Sequence, residues 1–209
     1  MLHEDVFIIF IFIFIFIILI LCVYIGKKMR FVYYSVTLCL MLFSSVVFAK
    51  EYPVGHPTIK NGMEIQAVYL QPITMDINSE HHLAADKSDI HLEADIHAVQ
   101  DNPNGFAEGD WIPYLTIEYS ISKIGVDSQE QSGTFMPMIA SDGPHYGDNI
   151  KLNGYGKYRV TYKIYPSSHN KKVEFGRHID KETGVSPWFD PFEISWDFTY
   201  SGLGRKQNY

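Results

Sequence analysis

From residue 50 onward, apolar and polar side chains alternate in short runs separated by turn-forming residues. A period of two is that of a β-strand, whose successive side chains leave on opposite faces. The alternation predicts strands over 63–70 (MEIQAVYL), 90–98 (IHLEADIHA), 113–122 (PYLTIEYSIS), 133–140 (GTFMPMIA), 157–165 (KYRVTYKIY) and 192–200 (FEISWDFTY). Between them lie DNPNG, SDGPHYG, PSSHN and KETGVSP, whose Gly, Pro, Asn and Asp favour turns. No stretch after residue 50 sustains a helical stripe. Several short strands in about 160 residues predict a single all-β domain, an antiparallel β-sandwich long enough to bury a core without disulfides.

The first 49 residues have a different pattern. Residues 6–26 (VFIIFIFIFIFIILILCVYIG) are an uncharged run long enough to cross a bilayer. The basic cluster KKMR follows at 27–30, and 31–49 continues with an apolar centre and small residues near Val47-Phe48-Ala49. Residues 29–49 therefore read as a complete signal peptide beginning at Met29, with cleavage expected after Ala49. Residues 1–28 are then a hydrophobic extension. It reads either as sequence upstream of the true start or as an amino-terminal membrane anchor, and the sequence leaves both open. Each places residues 50–209 across the membrane, which is the periplasm if the cell is Gram-negative. Cys39 does not make a lipoprotein site, because Leu38 stands where a small residue is required.

Charge sharpens this division. The chain carries 17 Lys and Arg against 24 Asp and Glu. Without the leader's Glu4, Asp5, Lys27, Lys28 and Arg30, residues 50–209 hold 14 basic and 22 acidic side chains, a net charge of −8. No nucleic-acid partner is expected, since neutralising phosphates needs clustered Lys and Arg. Both cysteines, Cys22 and Cys39, lie in the leader, so the 50–209 domain has neither a disulfide framework nor a thiolate metal site.

The most informative strand is 90–98. Its alternation turns Leu92, Ala94, Ile96 and Ala98 toward the core and His91, Glu93, Asp95 and His97 to the other face. That face reads either as a solvated polar surface or as part of a metal site. At about 3.3 Å per residue, positions i and i+2 lie roughly 7 Å apart and can share an ion, whereas His91 and His97 are too far apart. A site must therefore combine His91 with Glu93, or Asp95 with His97, and draw its other ligands from elsewhere. Met136 and Met138 share a face if 133–140 is extended, and the Asp142-Gly143-Pro144 turn would return His145 beside Met138. His178, in Phe175-Gly176-Arg177-His178, is a third candidate in a loop. Thioether sulfur suits copper, especially Cu(I), imidazole suits copper, iron and zinc, and carboxylate suits iron or manganese. Met, His and Glu without Cys point to copper or iron ions.

These residues carry a resemblance. The strings NGMEIQAVYLQPI (61–73), DIHLEADIHA (89–98), NPNGFAEGDWIPYLTI (102–117), MPMIASDGPHYG (136–147) and GRHIDKETGV (176–185) resemble the periplasmic iron-transport protein family, in order and over essentially all of 50–200. The resemblance implies an immunoglobulin-like β-sandwich, a homodimer with metal sites near the subunit interface, binding of copper and iron, and assistance to ferrous iron uptake by an inner-membrane iron permease. It assigns metal ligation to His91, Glu93, Met138, His145 and His178, with Asp142 helping a second metal position. The family motif often reads D-D-G-P-H where this chain has Ser141-Asp142-Gly143, which thins the carboxylates of that second position. Glu64 is treated as structural.

The leading expectation is a non-enzymatic periplasmic metal-binding protein. The alternative is an exported copper-dependent oxidoreductase on a β-sandwich. Against it, cleavage after Ala49 leaves Lys50 first, not the His a monooxygenase brace needs, and a dismutase would want more closely spaced His ligands. A third class, an adhesion or carbohydrate-binding sandwich, predicts no metal.

Overall fold

The structure is a computed structural model that describes residues 13–18, 51–77, 82–126 and 130–203. Residues 1–48 and 49–209 form separate compact units. In the first, only a helical stretch over 13–18 is described. The rest of the expected extension and the signal peptide over 29–49, with Cys22 and Cys39, lie outside the described residues. Among the described residues, no helix is long and apolar enough to cross a membrane.

The second unit is nearly all β. Its strands are β1 (Tyr52–Pro53), β2 (Thr58–Lys60), β3 (Met63–Leu70), β4 (Ile90–Ala98), β5 (Thr116–Lys123), β6 (Gln131–Thr134), β7 (Met136–Ala140), β8 (Gly143–Ile150), β9 (Gly156–Tyr165) and β10 (Phe192–Tyr200). One sheet runs β1-β3-β4-β8-β7 with β2 also on β3, and the other runs β10-β9-β5-β6. Every pairing is antiparallel. This is the expected sandwich.

Alternation builds the core between the sheets. Ile65, Ala67 and Tyr69 of β3, with Leu92, Ala94 and Ile96 of β4, are buried against Ile117 and Ile121 of β5, and Val160, Tyr162 and Ile164 of β9. Burying each large aliphatic or aromatic side chain is worth about 1.5–3 kcal/mol. Tyr162 adds a polar tie between the sheets, its hydroxyl donating to the Glu93 carbonyl at 3.0 Å.

Three expectations need correction. The stretch 133–140 is not one strand. It breaks at Phe135, so β6 belongs to one sheet and β7 to the other. Phe135 is the pivot, its ring stacked on Tyr119 and set edge-on to Tyr162, its amide donating to the Ile117 carbonyl at 2.9 Å. The period of two cannot register a crossover whose pivot is itself apolar. Likewise SDGPHYG is mostly strand. Only Ser141 and Asp142 form the loop, because Ala140 already pairs with Gly143 in a two-residue hairpin. Gly143 accepts a φ of 136°, a conformation L side chains rarely adopt, and so starts the strand. Pro144 is tolerated because β4 pairs with β8 only from Tyr146 to Ile150. The 113–122 strand begins later, at Thr116, after Tyr114 takes a positive φ of 61°.

Candidate metal centre

The two corrected segments, β7 and β8, bring the candidate ligands together. β8 lies between β4 and β7, with Glu93 opposite Gly147 and His91 opposite Asn149. Across the other edge of β8, Met138 is opposite His145. His91 and Glu93 on β4, His145 on β8 and Met138 on β7 therefore leave the sheet on the face turned away from the sandwich core. That face is not solvated at the two β4 positions. His91 is 0% exposed, Glu93 7% and His145 5%, and Met138 is half-buried.

His91 Nε2 and His145 Nε2 approach Glu93 Oε1 at 3.4 and 3.2 Å. The two rings meet edge to face with centroids 6.0 Å apart. One ligand atom from each of His91, Glu93 and His145 lies within 4.8 Å of the others, close enough to share one ion. Gly147 makes room, since a Cβ there would come 2.7 Å from His91 Nε2.

The protonation of both rings is set by their outer partners. Asn149 donates its amide hydrogens to the carbonyls of Ile73 and Leu83, at 2.8 and 2.9 Å. Its Oδ1 is thereby turned to accept from His91 Nδ1 at 3.1 Å. His91 then carries its proton on Nδ1 and leaves Nε2 bare. His145 bonds the Gly143 carbonyl, and because its Nε2 has no hydrogen-bond partner the donor is Nδ1. Buried ring nitrogens without partners are costly unless something else binds them. Burial pulls the His91 imidazole down to about 4, against the Asn149 hydrogen bond, and also lowers His145. Both rings are neutral at physiological pH, as metal ligation requires.

Beside this trio runs an acidic cleft of about 220 Å³ lined by Glu51, Glu93, Asp95, His97, Asp142 and His145. Burial, reinforced by repulsion from Asp95, Glu51 and Asp142, pushes Glu93 up to about 8. Burial and the charges of Glu51 and Asp142 push Asp95 up to about 6, and Glu51 is raised as well. Clustered carboxylates that resist ionisation are a site where a cation relieves the repulsion.

His178 is not brought to this trio within the chain. It stands in the 176–185 loop with its side chain 75% exposed. Thr183 Oγ1 donates to Asp180 Oδ2 at 2.8 Å and so accepts from His178 Nδ1 at 2.8 Å, which again leaves Nε2 bare and outward. Sequence reasoning missed Glu51, which stands in no motif, and Asn149, whose role depends on a pairing that only the strand β8 creates. Asp95 was visible in the alternation but was not chosen as a ligand.

Fold and site together define an antiparallel β-sandwich with a buried, cysteine-free cluster suited to a metal ion. The chain belongs to the Fe2+ transport protein family, whose model matches residues 48–202. It is 54% identical over 161 residues to a UPF0423 protein of Brucella abortus (strain 2308), covering 77% of this chain and 87% of that protein. Among solved structures, FetP of uropathogenic E. coli, recombinantly expressed in the periplasm, matches with a TM-score of 0.69 and 55% identity, over 74% of this chain and 99% of that one. Copper-reconstituted P19 of Campylobacter jejuni matches with a TM-score of 0.70 and 48% identity, over 75% and 99%.

Proposed function

We propose that this protein is an exported metal-binding protein that takes up copper and iron and assists ferrous iron uptake through an inner-membrane permease. The observation that carries the reading is the pair of bare Nε2 atoms, on His91 and His145, buried beside the Glu93 carboxyl without hydrogen-bond partners. With Met138 opposite His145, these form a set of two imidazoles, one thioether and one carboxylate. That set suits copper in either oxidation state, and its carboxylate end suits iron. Asp142, with Glu51 and Asp95, supplies the harder oxygens of a second position in the same cleft. His178, held outward with Nε2 bare, serves the site of a second copy in a homodimer. The family supports the iron-transport role, and copper-bound P19 supports the copper ligation. The leader over 29–49 acts as a signal peptide, which places the domain in the periplasm.

The copper-dependent oxidoreductase remains the second reading, and copper in the related structures is its support. Metal titration decides the first point. The 50–209 domain is expected to bind both copper and iron, and His91→Ala and Met138→Ala are expected to lose copper. Wild-type protein binding neither metal, or both variants binding as wild type does, would sink the assignment. Amino-terminal sequencing of the exported protein is expected to begin at Lys50.

A further inference from the structure

Asn149 is buried, 2% exposed, and every polar atom of its side chain is used. Its amide nitrogen donates to the carbonyls of Ile73 and Leu83, while Oδ1 accepts from the Ile73 amide at 3.2 Å and from His91 Nδ1 at 3.1 Å. Reversing the carboxamide would set N–H groups against the Ile73 amide and carbonyl oxygens against carbonyls, so the orientation has one solution. Within the sheet, Asn149 is the residue directly opposite His91. Its acceptor is therefore fixed from two directions, by strand register and by the segments that follow β3 and precede β4.

We propose that Asn149 is a positioning residue of the metal site, which locks His91 in the Nδ1–H tautomer and presents its bare Nε2 to the metal. The inference rests on the metal-binding reading of the same site. His91 has a competing choice, because Glu93 Oε1 lies 3.4 Å from Nε2 and, as the carbonyl oxygen of the carboxyl, would accept a proton placed there. With an acceptor on Nδ1 that cannot turn away, the proton stays on the outer nitrogen. Without it, a buried Nδ1–H is left unsatisfied and the proton moves to Nε2, where it blocks the ligand atom. Outer partners of metal-binding histidines act in this way, and losing one costs about 10- to 100-fold in metal affinity. Here the same carboxamide also ties 73 and 83 down beside His91, so the loop and the ligand share one anchor.

Imidazole proton–nitrogen correlation spectra of the metal-free, full exported protein test this, with copper(II) titration alongside. Wild type is expected to show His91 protonated on Nδ1. Asn149→Leu is expected to move the proton to Nε2 and weaken copper by about 10- to 100-fold. Asn149→Asp keeps an acceptor but no amide donors. It is expected to hold the wild-type tautomer and recover most of the affinity while melting at a lower temperature. That split separates positioning from simple support of the fold. Wild-type His91 protonated on Nε2 overturns the proposal even if neither variant folds. An Asp variant that loses as much copper as the Leu variant also overturns it. Because the tautomer is read without metal, a protein that shows the Nδ1–H form but binds no copper overturns the metal-binding reading instead.

Discussion

Met138 and His145 are direct cross-strand partners in the β7–β8 hairpin, seven residues apart in sequence and joined by the Ser141-Asp142 loop. Opposite residues in an antiparallel pair hold their Cβ atoms about 4.5–5.5 Å apart. The thioether therefore emerges beside the imidazole. A strand pair sets that proximity more firmly than a loop would. Met138→Leu keeps the volume and removes the sulfur, so stability should change by less than about 1.5 kcal/mol. Cu(I) affinity should fall more than Cu(II) affinity, because a soft thioether matters most to the soft ion. Competition with Cu(I) and Cu(II) chelators measures both. An equal loss for the two ions would remove Met138 from the ligand set.

Gly147 stands between Glu93 and Met136 in the sheet. A Cβ there would lie 2.7 Å from His91 Nε2 and 3.1 Å from the Leu92 carbonyl. The ring cannot tilt away without breaking its bond to Asn149. Gly147→Ala should therefore cost about 1–3 kcal/mol of stability, as overpacked sites do, and should abolish tight copper binding. Thermal melting with copper titration checks both. An alanine variant that binds copper normally would show that the His91 ring sits elsewhere.

Metal must displace the proton that Glu93 keeps up to about 8. Both imidazoles already offer bare nitrogens, since burial holds His91 at about 4. Between these limits, binding should release about one proton per copper, and affinity should fall about tenfold per pH unit on acidification. Calorimetry in buffers of different ionisation enthalpy should find that proton near neutral pH and lose it above the Glu93 value. Glu93→Gln should lose that proton, leaving only the fraction that Asp95 gives up below about 6. A pH-independent affinity across this range would contradict the protonated carboxyl.

The sandwich was legible because alternation is a local signal, and β3, β4, β9 and β10 come out within a residue of their predicted ends. The cross-strand pairing of Met138 with His145 was legible for the same reason, since a tight turn fixes who faces whom. Phe135 defeats such reasoning, because an apolar residue looks identical whether the strand continues or changes sheet. β8 was hidden by Gly143, Pro144 and Gly147, residues that usually end strands but here serve a turn, an unpaired edge and a ring that needs space. The Asn149–His91 bond was invisible, for it depends on that hidden strand. Burial of His91 and Glu93 was equally out of reach. Alternation says only that they face away from the core, and what covers that face comes from segments distant in sequence.

Metal-free stability should record the Glu93 carboxyl directly. In the folded protein it holds its proton to about 8, against an ordinary value of 4.5. Below 4.5 both folded and unfolded chains carry that proton, and the buried neutral acid contributes its full stability. As pH rises the unfolded chain ionises first, so this contribution is lost progressively and is gone above about 8. Asp95, raised to about 6, moves the same way, while His91 acts oppositely as pH falls through about 4. Both remain in Glu93→Gln, which lacks only the Glu93 titration. The melting temperature of the variant should therefore gain on wild type steadily across this window and then level off. For a domain of this size, each kcal/mol is worth about 2–4 °C. Melting curves in chelator from acid to alkaline pH measure the gap. Parallel curves would mean that Glu93 is ionised in the folded protein, and with it the proton release expected on copper binding would have to be abandoned.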